Sequence, residues 1–226
     1  MTILLAAATT YLWASLPLSY LIALHWKGID LRRFGSGNVG SANIIEQFGI
    51  GTGILCGAFD CLIKGTLPIF VARLFGQDVS VQVACGLSSI IGHNWSLYIR
   101  FTGGRGIATA VGVLIGFYFW VEIAVLCFSM LIGRRVFRET ALCSLLGLLM
   151  IPGVHFLRTD SLEGVYFFVA IVMLLILKRF TANWESPSKN KSSLLRVIGR
   201  RILWDRDVSR NESWTDRRPV IISEDD

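Results

Sequence analysis

The sequence predicts an all-α, polytopic integral membrane protein of about seven transmembrane helices. Three observations carry this. The 226-residue chain is 53% hydrophobic and has a mean hydropathy of +0.58, too apolar for a soluble globule of this size. Its apolar residues are gathered into runs that match the ~30 Å hydrocarbon core of a bilayer. Its basic residues fall in the gaps between those runs, which gives the chain a readable orientation.

The first charged residue is Lys27, so residues 1–26 form an uncharged run. No basic segment precedes it and no cleavage pattern follows, so a retained helix fits better than a signal peptide. Hydropathy then gives spans near 3–26, 48–72, 79–99, 140–157 and 162–177. The stretch from Gly106 to Gly133 has 28 residues and one charge, Glu122. One helix of that length would measure ~42 Å, longer than the membrane is thick.

Charge arbitrates. If 106–136 is a short helical pair, one side of the membrane carries ten cations: Lys27, Arg32, Arg33, Arg100, Arg105, Arg134, Arg135, Arg138, Lys178 and Arg179. The other side carries only Arg73 and Arg158. A single helix there would split the same residues six against six. The positive-inside rule favours ten against two, hence seven spans, the N-terminus outside and the C-terminus cytoplasmic.

Residues 1–185 thus read as one membrane-embedded domain and 186–226 as a basic cytoplasmic tail. In the tail, Leu194, Leu195, Ile198 and Ile202 share a helical face, with Arg196 and Arg200 opposite. That suits a helix on an anionic lipid surface, although a solvated tail has the same composition. The net charge of +6 fits basic loops and tail facing anionic lipid better than a nucleic-acid partner. The five cysteines (Cys56, Cys61, Cys85, Cys127 and Cys143) lie in apolar stretches without metal-ligand spacing, so no metal and no cofactor is expected.

Two glycine-rich loops carry the chemistry. The first runs from Asp30 to Asn43 and contains Gly35, Gly37 and Gly40 in the G-x-G-x-x-G spacing. A membrane helix precedes it where a dinucleotide fold needs a strand, so a Rossmann site is set aside. Glycines nonetheless let backbone N–H groups approach an anion, and a following helix N-terminus favours one. Ser36, Asn38, Ser41 and Asn43 add neutral hydrogen-bonding groups, and Arg32 and Arg33 add charge. The second loop holds Gly92-His93-Asn94-Trp95 and then Arg100 through Thr109, in which Gly103, Gly104 and Gly106 bracket Arg105. A guanidinium among glycines suggests a phosphate seat. Between the loops, Asp60 and Lys64 stand four apart inside an apolar span, where they can pair. Charges within a membrane mark a functional site by default, and a purely structural ion pair is the other reading.

Together these segments resemble the bacterial acyl-phosphate glycerol-3-phosphate acyltransferase family, the PlsY type. The family pattern G-S-G-N-x-G-A-T-N is similar to Gly35 through Asn43, D-x-x-K-G-x-x-P to Asp60 through Pro68, and G-H-x-x-P-x-F…F-K-G-G-K-G-V-A-T to Gly92 through Thr109. The resemblance implies a seven-helix enzyme of the bacterial inner membrane that moves a fatty acyl group from acyl phosphate to the sn-1 hydroxyl of glycerol-3-phosphate, giving lysophosphatidic acid. Its partners would be those two substrates and the bilayer. It implies that Gly35, Ser36, Gly37 and Asn38 help hold phosphate and the reacting carbonyl, and that Arg105 replaces a family lysine as phosphate clamp. His93 would be structural or polarising. On this reading Ser36, His93 and Arg105 are the catalytic candidates. Arg32, Gly35, Gly37, Asn38, Gly40, Asn43, Asp60, Lys64, Gly103, Gly104 and Gly106 are the binding candidates.

The chain also departs from the pattern. Glu46 stands where the family has arginine, Asn94-Trp95-Ser96 follows Gly92-His93 where a proline is expected, and a further motif reduces to Lys178, Arg179 and Glu185 behind an apolar run. A paralogue with another acceptor, or a membrane scaffold or transporter-like protein with Asp60 and Lys64 lining a polar path, therefore stays open. His25-x-x-x-x-Asp30 also matches an acyl-CoA-dependent acyltransferase dyad, but His25 sits at a membrane-helix end.

Overall fold

The computed structural model describes residues 2–137, 140–183 and 191–205. Arg138, Glu185, the side chains of Leu194 and Arg196 and most of the tail lie outside them. The described residues are helical, without strands; a lone bridge joins Ser96 and Thr102.

The first apolar run forms α1 (Ile3–Ala14) and α2 (Leu18–Lys27). They are separated at Pro17, whose ring and missing N–H break the helical ladder. After the first glycine-rich loop come the short α3 (Ser41–Phe48) and α4 (Ile50–Ala58), which continues through a π-helical segment, Phe59–Thr66, into α5 (Leu67–Leu74). Then follow α6 (Val79–Asn94), a 3₁₀ turn at Leu97–Ile99, α7 (Ile107–Gly116) and α8 (Trp120–Ile132). Two long helices, α9 (Thr140–Thr159) and α10 (Leu162–Thr181), precede the tail helix α11 (Lys191–Trp204).

Four helical stretches are long and apolar enough to cross a membrane: Ile3–Lys27, Ile50–Leu74, Thr140–Thr159 and Leu162–Thr181. Twenty residues at 1.5 Å each give α9 and α10 the ~30 Å that a bilayer needs. Their outward faces carry Leu4, Ile54, Phe70, Leu149 and Met173, all exposed, as lipid contact allows. The troublesome 106–133 stretch is two short helices, broken at Tyr118, which adopts a positive φ of 61°.

The core is shared by α5 to α10, through Ile69, Ile90, Val113, Leu126, Leu148 and Phe168. A second, smaller core joins α2, the first loop, α3 and α4 through Ala23, Leu31, Val39, Ile44 and Cys56. It fixes that loop to the helix bundle. At the other end Arg73 donates to the Gly116 carbonyl at 2.8 Å and Arg158 to Glu122 at 3.0 Å. The α7–α8 turn therefore sits beside the two cations that the charge count set apart.

The π segment and α7 meet backbone to backbone. A Cβ at Gly112 would collide with the Cys61 carbonyl, and one at Gly65 with the Thr109 carbonyl. Thr66 Oγ1 donates to the Gly112 carbonyl at 2.8 Å across this contact. Such small-residue contacts let membrane helices approach closely. Gly112→Ala is expected to cost about 1–3 kcal/mol, read as a lowered unfolding temperature of the detergent-solubilised protein; an unchanged temperature would refute the close approach.

Candidate active site

The first loop is folded around an asparagine. Asn43, fully buried at the start of α3, donates from Nδ2 to the carbonyls of Phe34 at 2.9 Å and Asn38 at 3.1 Å. Gly35 and Gly37 adopt φ of 57° and 67°, a region open to glycine at little cost. A side chain at Gly35 would also meet the Asn43 amide. Asn43 is thus the frame of the loop. Asn38 is buried with its Oδ1 unpaired, and Ser36 lies half-buried beside it.

Asp30 anchors the loop entrance. It accepts from the Arg32 backbone at 3.0 Å and pairs with the Arg32 guanidinium at 2.6 Å. Burial would raise the Asp30 pKa, but the Arg32 hydrogen bonds and charge outweigh it and hold the carboxyl below its ordinary value. Arg33 and Glu46 are exposed.

The second loop folds back on the end of α6. Gly103 lies against the His93 and Asn94 carbonyls, and Gly104 against the His93 ring, so closely that neither has room for a Cβ. Gly106 has φ 78° and starts α7. These glycines serve close packing and turn geometry.

The two loops meet at Asn183, just past α10. Its Nδ2 donates to the Gly37 carbonyl at 3.1 Å and the Gly103 carbonyl at 2.6 Å. Its Oδ1 accepts from the Gly103 N–H at 3.2 Å and from Lys178 Nζ at 2.8 Å. One carboxamide thereby ties both loops to α10 with every polar group used. Lys178 is fully buried, and its ammonium lies 5.5 Å from the centre of the Trp95 ring. Sequence reasoning missed Asn183. It also read Lys178 and Arg179 as cytoplasmic-side charge and as the remnant of a further motif, without placing them in the interior. Their place at the end of an apolar run was the available signal, because basic residues there must find buried partners.

Beneath the loops lies a buried ionic trio. Asp60 pairs with Lys64 at 2.8 Å and with His93 Nδ1 at 3.3 Å. All three are at most 6% exposed. Asp60 and Lys64 are on the π segment, so the expected pair forms, with His93 as an unforeseen third member. Ser15 and Ser19, flanking the α1–α2 break, line the same narrow cleft together with Asp60, Lys64, His93 and Gly104.

Arg105 follows Gly104 and is 5% exposed. Its Nε pairs with Asp205 at 2.6 Å, and Nη1 donates to the Lys178 carbonyl at 3.4 Å. The fold thus gathers Ser36, Asn38, His93, Arg105, Asp60, Lys64 and the loop glycines at one end of the bundle. Arg32 lies at the loop entrance, held by Asp30. Beyond the cleft, an apolar groove of ≈ 570 Å³ runs between α1, α5 and α6, lined by Ala6, Thr9, Trp13, Leu67, Val71 and Cys85.

The glycerol-3-phosphate acyltransferase family model matches residues 4–188. Glycerol-3-phosphate acyltransferase 4 of Dehalococcoides mccartyi (strain CBDB1) is 31% identical over 95% of this chain and 93% of its own. The glycerol-3-phosphate acyltransferase of Prochlorococcus marinus (strain NATL1A) is 32% identical over 83% and 90%. Two crystal structures of PlsY, an integral membrane glycerol 3-phosphate acyltransferase, superpose on this fold. The glycerol 3-phosphate form gives a TM-score of 0.66 at 31% identity, over 78% of this chain and 88% of that one. The lysophosphatidic acid form gives 0.65 at 28% identity, over 88% and 93%.

Proposed function

The chain belongs to the glycerol-3-phosphate acyltransferase family, and on that premise we propose that it takes its acyl group from an acyl phosphate and places it on the sn-1 hydroxyl. It is a multi-pass membrane enzyme that acylates glycerol-3-phosphate to lysophosphatidic acid, a step of phospholipid biosynthesis. The observation that carries the donor assignment is the pair of glycine loops drawn together by Asn183 beside Arg105 and Lys178. That arrangement suits an acyl phosphate, a mixed anhydride whose phosphate gains charge as its carbon–oxygen bond breaks.

In the proposed reaction the glycerol hydroxyl oxygen attacks the acyl carbonyl carbon. The carbon–oxygen bond to phosphate breaks, its electron pair leaves on phosphate, and the hydroxyl proton ends on the released phosphate. A good leaving group removes the need for a strong base, so positioning and charge do most of the work. Ser36, Asn38 and the N–H group at Gly35 orient the donor, Gly37 shapes the loop through its N–H bond to the Phe34 carbonyl at 2.9 Å, and Arg105 holds phosphate. His93, enclosed by Asp60, Lys64 and Gly104, polarises the cleft without needing to move a proton. The acyl chain lies in the groove beside Trp13 and Val71, which leads along α1 towards Ser15 at the cleft.

Seven crossings, with the N-terminus outside and the loops cytoplasmic, are supported by the α7–α8 turn beside Arg73 and Arg158. The same charge pattern suits the inner membrane, with anionic lipid against the basic face. Purified protein should form lysophosphatidic acid from palmitoyl phosphate and glycerol-3-phosphate and form none from palmitoyl-CoA. Product with palmitoyl-CoA alone would sink the donor assignment.

A further inference from the structure

The tail helix α11 lies beyond the family-matched residues 4–188, yet it reaches the candidate phosphate clamp. It packs against α9 and α10. Arg201 donates to the carbonyl of Phe180 at 3.3 Å, and Arg179 donates to the carbonyl of Ile202 at 3.1 Å. These contacts set Asp205, the residue after α11, against Arg105. The Asp205 carboxylate lies 2.6 Å from Arg105 Nε, and its backbone carbonyl accepts from Nη2 at 3.4 Å. The third guanidinium nitrogen, Nη1, is turned to the Lys178 carbonyl at 3.4 Å. Nη1 and Nη2 thus donate to backbone carbonyls, Nε lies in ion-pair contact with Asp205, and the side chain is only 5% exposed.

A guanidinium donates to carboxylate and phosphate oxygens through the same fork geometry. It cannot hold both in one seat. The neighbouring cleft, lined by His93, Gly103 and Gly104, has a volume of only ≈ 10 Å³, about that of one water, so it offers a phosphate ester no alternative seat beside Arg105. Of the groups on Arg105, the Asp205 carboxylate is the one that matches a phosphate in charge. Lys178 and Asn183 belong to the frame that joins the loops.

We propose that Asp205 occupies the seat of a substrate phosphate on Arg105, which makes the docked α11 a built-in competitor of substrate. This rests on the reading of Arg105 as the phosphate clamp. Substrate must displace the tail carboxylate before it binds, so the tail raises the substrate concentration needed for half-maximal rate and leaves the chemical step alone. Asp205→Asn keeps the shape and removes the charge. Truncation after Asn190 removes α11 entirely.

The test uses the purified full-length protein, the two variants, and inorganic phosphate as probe in calorimetric titration, beside steady-state assays with palmitoyl phosphate and glycerol-3-phosphate. Both variants should bind inorganic phosphate about tenfold more tightly, as removal of a charge-assisted competitor allows. The KM for one phosphate substrate should fall by a similar factor at unchanged kcat. Unchanged or weaker phosphate binding in both variants overturns the proposal, and so does a fall in kcat at constant KM. If no variant makes lysophosphatidic acid but Asp205→Asn still tightens phosphate binding, the reaction assignment fails and the competition stands.

Discussion

Arg105→Ala is expected to lower lysophosphatidic acid formation by about 10²–10³-fold, the usual effect of deleting one preorganised donor aimed at developing charge. The argument starts from position. Arg105 stands between Gly104, pressed on the His93 ring, and Gly106, whose positive φ starts α7. Its backbone is therefore fixed by neighbours that cannot take a side chain, and its guanidinium is aimed by that backbone. Charge should decide the phenotype. Arg105→Lys, the residue type of the resembling family, should keep activity within about tenfold, because an ammonium still binds phosphate as a point charge. Arg105→Gln keeps the stem and loses the charge, and should behave like alanine. Initial rates with palmitoyl phosphate check all three. Equal activity in wild type and Arg105→Ala would end the clamp assignment.

The sequence made some of this arrangement legible and hid the rest for physical reasons. Hydropathy reads one-dimensional runs, so it found the long helices. Its third run, 79–99, ends early, since α6 stops at Asn94 and a 3₁₀ turn follows. The break at Pro17 was also missed, because an apolar run looks continuous even where the backbone is not. The charge asymmetry separated α7 from α8, and Tyr118 is where the chain turns. The loop glycines were flagged as anion seats. Gly103 and Gly104 are also demanded by contact with the end of α6, a tertiary fact that no spacing rule contains. Asn183 was invisible for the same reason: its four partners come from Gly37, Gly103 and Lys178, up to 146 residues away in sequence. The Asp60–Lys64 pair was readable because a four-residue spacing brings side chains together on a helical turn. His93 comes from a different helix, so its place beside that pair was not.

That trio gives the largest expected effect on stability. Asp60, Lys64 and His93 are 3%, 3% and 6% exposed, inside a helix bundle that faces lipid. Removing one partner of a buried pair leaves an uncompensated charge, which costs about 3–5 kcal/mol. Asp60→Ala should therefore lower the unfolding temperature of the detergent-solubilised protein sharply, since Lys64 loses its ion-pair partner and keeps the His93 ring at 3.5 Å and the Phe59 ring at 5.7 Å. The double substitution Asp60→Leu with Lys64→Met removes both charges with side chains of similar branching and reach and should recover most of that loss, because buried pairs replaced by apolar residues are often no less stable. With the single variants Asp60→Leu and Lys64→Met added, the cycle measures the coupling directly. Activity then separates two roles for the pair. A brace that only holds the π segment against α6 would let the double variant turn over as wild type does. A polar wall of the cleft, which the lining by Asp60, Lys64 and His93 supports, would leave the double variant stable and slow. Asp60→Ala within about 0.5 kcal/mol of wild type, the range of ordinary surface changes, would refute the buried-pair account altogether.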